Sequence, residues 1–162
     1  MNKLWAPWRV EYLTQPKSDG CIFCAEGDDR DLLVLRRTPL VQVMLNRYPY
    51  SNGHLMVSPN RHTAELGELS EAEMLELFRN VALCRDILAR ASAPDGFNIG
   101  INLGRAAGAG IDDHLHLHVV PRWNGDSNFM SVVADVRVIP EALQATYDRL
   151  LPLFEAAGEG GW

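Results

Sequence analysis

The 162-residue sequence lacks several features that mark other classes of protein. It contains no run of about 18 apolar residues, so no transmembrane helix is predicted. The first eight residues, MNKLWAPW, hold no continuous apolar stretch of the kind found in secretory signals. We therefore expect no membrane partner and a cytoplasmic location. No repeat, low-complexity run or linker divides the sequence, and we expect residues 1–162 to form a single domain.

Positive charge and cysteine are also scarce. The formal net charge is −6, which argues against binding to a nucleic acid polymer but leaves open a local basic pocket for a small phosphate ligand. Three cysteines are too few for a disulfide framework and fit a reducing compartment. The chain is 47% hydrophobic, which is enough to bury a core without disulfide support.

Histidine is the residue that stands out among those present. His114, His116 and His118 alternate with Leu115 and Leu117. On a β-strand this spacing places three imidazoles on one solvated face and the aliphatic side chains on the other. A structural role for the row, or a pure metal-binding role, remains an alternative to catalysis.

The remaining sequence predicts strands followed by a helix. Strand-like segments cover residues 33–35, 40–45 and 54–57, which favours an antiparallel meander. Ser70 and Glu73 match a capping box, so a helix begins there. Its predicted apolar stripe comprises Met74, Leu77, Phe78, Val81, Cys84 and Leu88. Residues 1–30 are expected to form an irregular arm, and residues 140–162 a C-terminal helix and tail.

The segment His114–Val120 resembles the signature of the histidine triad (HIT) family, in which three histidines alternate with hydrophobic residues and two more hydrophobic residues follow. The resemblance continues in Leu45-Asn46-Arg47, in residues 53–57 and in the glycine-rich loop 104–110, and it covers roughly residues 20–130. Residues 4–9 and 121–129 are similar to the branch that contains diadenosine tetraphosphate phosphorylases. The family implies an α+β fold with an antiparallel sheet, a long helix packed on it, and a homodimer.

The same resemblance implies a nucleotidyl transferase or hydrolase that cleaves dinucleoside polyphosphates at the α-phosphate. In family terms His116 is the nucleophile and forms a transient nucleotidyl-histidine, while His118 binds a phosphate oxygen or the leaving group; His114 completes the triad. A neutral imidazole is a good nucleophile near pH 7, which agrees with this role. The alternatives are an adenosine phosphoramidate hydrolase and a nucleotide-binding signalling protein with little turnover.

Five further residues match nucleotide-contacting regions of the family. Asn46 matches the position that holds the ribose, although asparagine is also a common turn residue. His54 matches a histidine that extends the imidazole network, and a buried structural histidine is the alternative. The resemblance places the remaining three in the phosphate-facing region: Asn102, Gly108 and Gly110. Small residues there allow backbone N–H groups to approach an anion.

The pair Cys21 and Cys24 is expected to be a metal or redox pair. His62 and His114 match positions that supply the remaining zinc ligands in some HIT proteins and in galactose-1-phosphate uridylyltransferases. Two thiolates and two imidazoles would complete a closed structural zinc site. The resemblance therefore implies zinc as the cofactor, a small nucleotide as the substrate, and no organic cofactor.

Asp112 and Asp113 depart from the family, many of whose members carry Gln-Ser, Gln-Thr or Gly-Ser shortly before the first histidine. Two carboxylates beside a polyphosphate repel it unless they point away or bind a cation. Strand alternation predicts Asp112 on the histidine face and Asp113 on the opposite face.

Overall fold

The computed structural model describes residues 20–107, 110–126 and 141–158. The arm residues 1–19, residues 108–109, the segment 127–140 and the tail 159–162 lie outside the described residues. In chain order the elements are helix α1 (Asp29–Leu32), strands β1 (Val34–Arg37), β2 (Val41–Leu45) and β3 (Leu55–Pro59), helix α2 (Glu71–Ser92), strands β4 (Gly96–Ile101) and β5 (Leu117–Arg122), and helix α3 (Leu143–Gly158). No helix among them is long and apolar enough to cross a membrane.

The strands form one five-stranded sheet in the order β1-β2-β3-β5-β4, with antiparallel pairing between all neighbours. The predicted meander of the first three strands is confirmed. Strand β5 lies between β3 and β4, where His118 is opposite Met56 on one side and Gly100 on the other. The C-terminal part of the histidine segment is therefore held in the middle of the sheet.

The two faces of the sheet differ in what covers them. Alternate strand residues, including Val43, Val57 and Leu117, belong to the main core together with buried residues of α2 and α3. The intervening residues on the opposite face form a row across the sheet: Val34, Met44, Met56, His118 and Gly100. The helices therefore support the sheet from one side and leave His118 on the other.

Helix α2 begins with the predicted capping box. The Ser70 hydroxyl accepts a hydrogen bond from the Glu73 backbone N–H, and the Glu73 carboxylate accepts one from the Ser70 N–H at 2.8 Å. Arg61 also donates to this carboxylate at 3.2 Å. The bond from Arg61 is the main reason that the pKa of Glu73 falls to about 2.

The predicted apolar stripe of α2 is only partly correct. Met74 and Phe78 are 40% and 63% exposed, whereas Leu83 and Ile87 are buried. Successive helix residues are rotated by about 100°, so Met74 and Phe78 flank one side of the buried line and Leu83 and Ile87 flank the other. The second side packs in the main core. A periodicity of three and four residues cannot show which side of the buried line is covered.

Candidate active site

The histidine segment enters the sheet later than predicted. Strand β5 begins at Leu117, so His118 lies in the strand while His114 and His116 precede it. Leu115 nevertheless packs in the main core, and its N–H donates to the Thr63 carbonyl at 2.7 Å. The expectation that all three histidines lie on one strand is wrong. Before Leu117 the segment makes no hydrogen-bonded pairs with a neighbouring strand among those described, and its backbone is held by loop contacts such as the one to Thr63. The alternation of histidine with buried leucine is retained.

The expectation of a solvated histidine face is also wrong. His114, His116 and His118 are 1%, 5% and 8% exposed. The Phe23 ring covers the first two, with its centroid 5.0 Å from His114 and 4.9 Å from His116. Tyr50 lies 5.8 Å from the His118 ring. Sequence reasoning missed both aromatic residues, although Phe23 stands between the paired cysteines and Tyr50 stands four residues before His54.

The His116 ring is oriented by the backbone of the same segment. Its Nδ1 lies 2.9 Å from the His114 carbonyl oxygen. A carbonyl can only accept, so Nδ1 carries the proton and Nε2 of the neutral ring keeps its lone pair. Nε2 has no hydrogen-bond partner among the residues described. The lone pair of His116 is thus placed for nucleophilic attack from Nε2.

His118 is set in the complementary tautomer by a chain of hydrogen bonds. The Tyr50 backbone N–H donates to His54 Nδ1 at 3.1 Å, so the proton of neutral His54 is on Nε2. His54 Nε2 lies 2.9 Å from His118 Nδ1 and donates to it. His118 therefore carries its own proton on Nε2. The two rings meet edge to face, with centroids 4.8 Å apart and an interplanar angle of 75°. In this pair His116 offers a lone pair and His118 offers an N–H donor.

Burial keeps both of these imidazoles neutral. Desolvation lowers the pKa of His116, against the opposing effect of its hydrogen bond to the His114 carbonyl. Desolvation, with a smaller contribution from His116, lowers the pKa of His118 to about 4. The tautomers derived from the hydrogen bonds are consequently the forms present near pH 7.

Asn46 and Asn102, both predicted to contact the nucleotide, lie next to the hydrogen-bonded histidines His54 and His118. The Asn46 amide contacts His54 Nδ1 at 3.3 Å, and its Oδ1 accepts from the Tyr48 N–H at 2.8 Å. Asn46 thus also has the turn role that was its alternative. Asn102 Nδ2 lies 3.5 Å from His118 Nε2, at the end of the tautomer chain. Both nitrogens donate in this tautomer, so the Asn102 amide accepts from the His118 Nε2–H only when it turns its Oδ1 toward the ring. His54 is fully buried, yet it connects the loop to His118 rather than filling the core.

The glycine-rich loop contributes less evidence than the asparagines. Gly108 lies outside the described residues, and a Cβ atom added at Gly110 would meet nothing within 4 Å. Asp112 does not point at the histidines as strand parity predicted, because its carboxylate binds Arg105 Nε at 2.7 Å. Residues 111–116 are not in a strand, so the parity argument does not apply to Asp112 and Asp113.

The four predicted metal ligands come together at the other end of the histidine segment. The potential ligand atoms of Cys21, Cys24, His62 and His114 all lie within 4.8 Å of one another. His114 Nδ1 is 3.1 Å from Cys21 Sγ, and His62 Nδ1 is 3.3 Å from Cys24 Sγ. The His114 Nε2–H donates to the Pro59 carbonyl at 2.9 Å, which leaves the Nδ1 lone pair facing the sulfurs.

This donor set fits a tetrahedral zinc ion. Zinc bonds of about 2.3 Å to sulfur and about 2.0 Å to nitrogen separate neighbouring ligands by about 3.3–3.8 Å, close to the observed contacts. Without a metal, burial and the neighbouring Cys21 raise the pKa of Cys24 to about 11. A bound dication reverses that preference, because the thiolate is the form that coordinates.

Comparison with known proteins places this geometry in a family. Residues 29–125 match the HIT domain family. The chain is 39% identical over 157 residues to AP-4-A phosphorylase of Mycobacterium tuberculosis, covering 90% of this chain and 80% of the relative. A hypothetical histidine triad nucleotide-binding protein of Sulfolobus tokodaii has a similar structure, with a TM-score of 0.67 and 27% identity over 88% of this chain and 99% of the other.

A second solved structure is also similar to this chain. It is a zinc-bound histidine triad family protein of Mycobacterium smegmatis, with a TM-score of 0.59 and 27% identity over 87% of this chain and 97% of the other. The match over residues 29–125 and the similarity to the phosphorylase over nine-tenths of the chain together give the assignment. The chain belongs to the HIT domain family.

Proposed function

We propose that this HIT-family enzyme cleaves dinucleoside polyphosphates through a nucleotidyl-histidine intermediate on His116. The observation that carries the proposal is the pair of opposite tautomers: a lone pair on Nε2 of His116 beside an N–H on Nε2 of His118. Such a pair suits displacement at phosphorus, in which one group attacks and another stabilises the charge on the departing oxygen. The similarity to AP-4-A phosphorylase supports diadenosine tetraphosphate as the substrate.

In the first step the His116 Nε2 lone pair attacks the α-phosphorus. A P–N bond forms, and the P–O bond to the rest of the polyphosphate breaks with its electron pair on the leaving oxygen. The His118 Nε2–H donates a hydrogen bond to that oxygen or to a neighbouring phosphate oxygen as charge develops. Because the His116 Nδ1–H stays bonded to the His114 carbonyl, the cation formed on His116 keeps a fixed orientation.

In the second step an acceptor attacks the same phosphorus, and the P–N bond breaks with its electron pair returning to His116 Nε2. When the acceptor is water, its proton is released to solvent. Inorganic phosphate gives ADP and leaves ATP as the other product of diadenosine tetraphosphate, whereas water gives AMP and ATP. The proposed substrate contacts are Asn46, Asn102 and the loop containing Gly108 and Gly110. An amide suits ribose hydroxyls because it both donates and accepts.

We propose in addition that Cys21, Cys24, His62 and His114 hold a structural zinc ion. A closed four-ligand site stabilises the fold and has no open position for substrate. The cysteine arm also carries Phe23, which packs on His116. Holding Cys21 and Cys24 against His114 therefore keeps Phe23 over the nucleophile.

The proposed quaternary structure is a homodimer. In the described part of the chain β4 pairs only with β5, so its other edge is unpaired. Ile99 on β4 is 46% exposed, and Leu75 and Phe78 on the preceding helix are 52% and 63% exposed. An unpaired strand edge and exposed apolar side chains are the kinds of surface that a second copy can cover. Light scattering should give twice the chain mass, and Phe78→Asp should shift it toward the monomer.

The reaction is tested with diadenosine tetraphosphate incubated with and without inorganic phosphate, followed by separation of the nucleotides. ADP and ATP that appear only with phosphate identify a phosphorylase, and AMP and ATP without phosphate identify a hydrolase. His116→Ala should reduce turnover by about 10⁴-fold or more, because the nucleophile is lost. Nucleotide label bound to the wild-type protein, stable in base and labile in acid, would mark the phosphoramidate intermediate.

Wild-type turnover in His116→Ala would refute the covalent mechanism. Cleavage of adenosine phosphoramidates with no action on the dinucleotide would instead identify a phosphoramidate hydrolase. Tight nucleotide binding with negligible turnover would identify a binding protein. Zinc is tested separately by metal analysis: we expect about one zinc per chain after metal-replete expression, and less than about a tenth in Cys24→Ser.

A further inference from the structure

The two histidines of the cysteine cluster face it with the same ring nitrogen. His114 and His62 both place Nδ1 within 3.5 Å of a cysteine sulfur, so both place Nε2 on the outer side. The outer nitrogen of His114 donates to the Pro59 carbonyl at 2.9 Å. The outer nitrogen of His62 faces Asp113, whose Oδ2 lies 3.9 Å away.

An acceptor on the outer nitrogen matters for a metal-binding histidine. It fixes which nitrogen carries the proton, holds the ring plane, and makes the coordinating nitrogen more basic. His114 is buried and receives this support from a rigid backbone carbonyl. The His62 side chain is 47% exposed, so without a partner its ring is free to turn between nitrogens.

Asp113 differs in its surroundings from the neighbouring Asp112. The Asp112 carboxylate binds Arg105 Nε at 2.7 Å, so its charge is balanced locally. Asp113 has no cation of this kind among the residues described, and its Oδ2 lies 3.9 Å from His62 Nε2, beside the cysteine and histidine cluster. A carboxylate at this place favours a dication in the cluster, because opposite charges attract.

We propose that Asp113 is the outer acceptor of the His62 Nε2–H and strengthens the binding of a divalent metal by Cys21, Cys24, His62 and His114. The inference rests on the zinc site proposed above and adds a positioning residue to it. The Asp113 side chain is 66% exposed, so a small rotation brings its oxygen from 3.9 Å to hydrogen-bonding distance. The carboxylate then orients His62. It also places one further negative charge near Zn²⁺, in addition to the two charges of the thiolate ligands.

The test is zinc affinity, measured by competition with a chromogenic chelator on the purified full chain. Asp113→Asn and Asp113→Ala should raise the zinc dissociation constant by about tenfold. Losing a hydrogen-bond partner of a metal-binding histidine weakens metal affinity by about 10–100-fold, and we expect the lower value because Asp113 is exposed. Asp112→Asn is the matched control: it removes the same charge one residue away and should change the constant by less than about twofold. Because Asp113 is exposed, the variants should fold as the wild type does.

A second comparison asks whether Asp113 acts through His62. In a His62→Ala background, Asp113→Asn should have less than about a twofold effect, since the ring it supports is absent. Unchanged affinity in both Asp113 variants, or an equal loss in Asp112→Asn, overturns the inference while leaving the zinc site in place. A wild-type protein that binds no zinc overturns the zinc site itself, and the inference with it.

Discussion

Acidification is expected to destabilise the fold through His118, and the size of the effect follows from the structure. Burial lowers the pKa of His118 from 6.5 to about 4. Between those pH values the unfolded chain binds a proton that the folded chain does not, so the free energy of unfolding falls as the pH falls. The contribution is complete above pH 6.5. About 2 kcal/mol of it is lost by pH 5, and about 3 kcal/mol once the pH is below 4.

The perturbation that isolates this contribution is His118→Asn. The asparagine Oδ1 can occupy the place of Nδ1 and accept the hydrogen bond from His54 Nε2, which spans 2.9 Å in the wild type. The amide does not titrate. The variant is less stable than the wild type at pH 7.5, because the rest of the imidazole ring is missing from a buried site. Only the pH dependence of the difference reports on protonation.

The assay is urea unfolding followed by circular dichroism at pH 7.5, 6.5, 5.5 and 5.0, with both proteins loaded with zinc and at one concentration. Acid release of metal, protonation of groups that do not contact His118 and dissociation of an oligomer affect both proteins and cancel in the difference. The stability advantage of the wild type over His118→Asn should shrink by about 2 kcal/mol between pH 7.5 and pH 5. A constant difference across this range would show that His118 is not held neutral by burial, and the proposed donor role near pH 7 would lose its basis.

Three further outcomes are expected. Glu73→Gln should lower the unfolding free energy by about 1–3 kcal/mol at pH 7, because the carboxylate accepts charged and capping hydrogen bonds, and the loss should vanish as the pH falls from 4.5 toward 2. Gly53→Ala should destabilise by more than about 1 kcal/mol in urea unfolding, since Gly53 has φ +76° and an added Cβ would lie 3.0 Å from Leu88 Cδ2. Gly100→Val should raise KM for the nucleotide, because Gly100 pairs with His118 and an added side chain would stand next to the site. The melting temperature should change little, since an added Cβ meets nothing within 4 Å. An unchanged KM would place the substrate elsewhere.

The sequence predicts the parts of this fold that depend on local chemistry. Ser70 and Glu73 identify the start of α2 because a capping box needs only two residues at a fixed spacing. The three-strand meander follows from composition and turns. Helix α1, in contrast, was not predicted: its signal is Asp28, whose side chain caps the helix by accepting from the Arg30 and Asp31 N–H groups, and four helical residues give no periodicity.

The site shows the same division between local and distant information. The two-residue spacing correctly separates the histidines from Leu115 and Leu117, but it cannot show that the strand starts only at Leu117. Burial of the histidines depends on Phe23, about 90 residues away in the chain. Contacts of that separation are set by how the arm returns to the sheet, and no pattern within either segment encodes them.

His114 connects the proposed metal cluster to the proposed nucleophile. Its ring nitrogen Nδ1 faces Cys21 and Cys24, while its backbone carbonyl accepts the Nδ1–H of His116. On its other side the ring donates a hydrogen bond to the Pro59 carbonyl of β3. This bond fixes His114, and with it both the cluster and His116, relative to β3. A metal bound by the His114 ring would restrain the residue whose carbonyl sets the tautomer of His116. The proposed zinc site and the proposed nucleophile are then linked through one residue, His114, and one hydrogen bond, so zinc would affect the reaction by positioning His116.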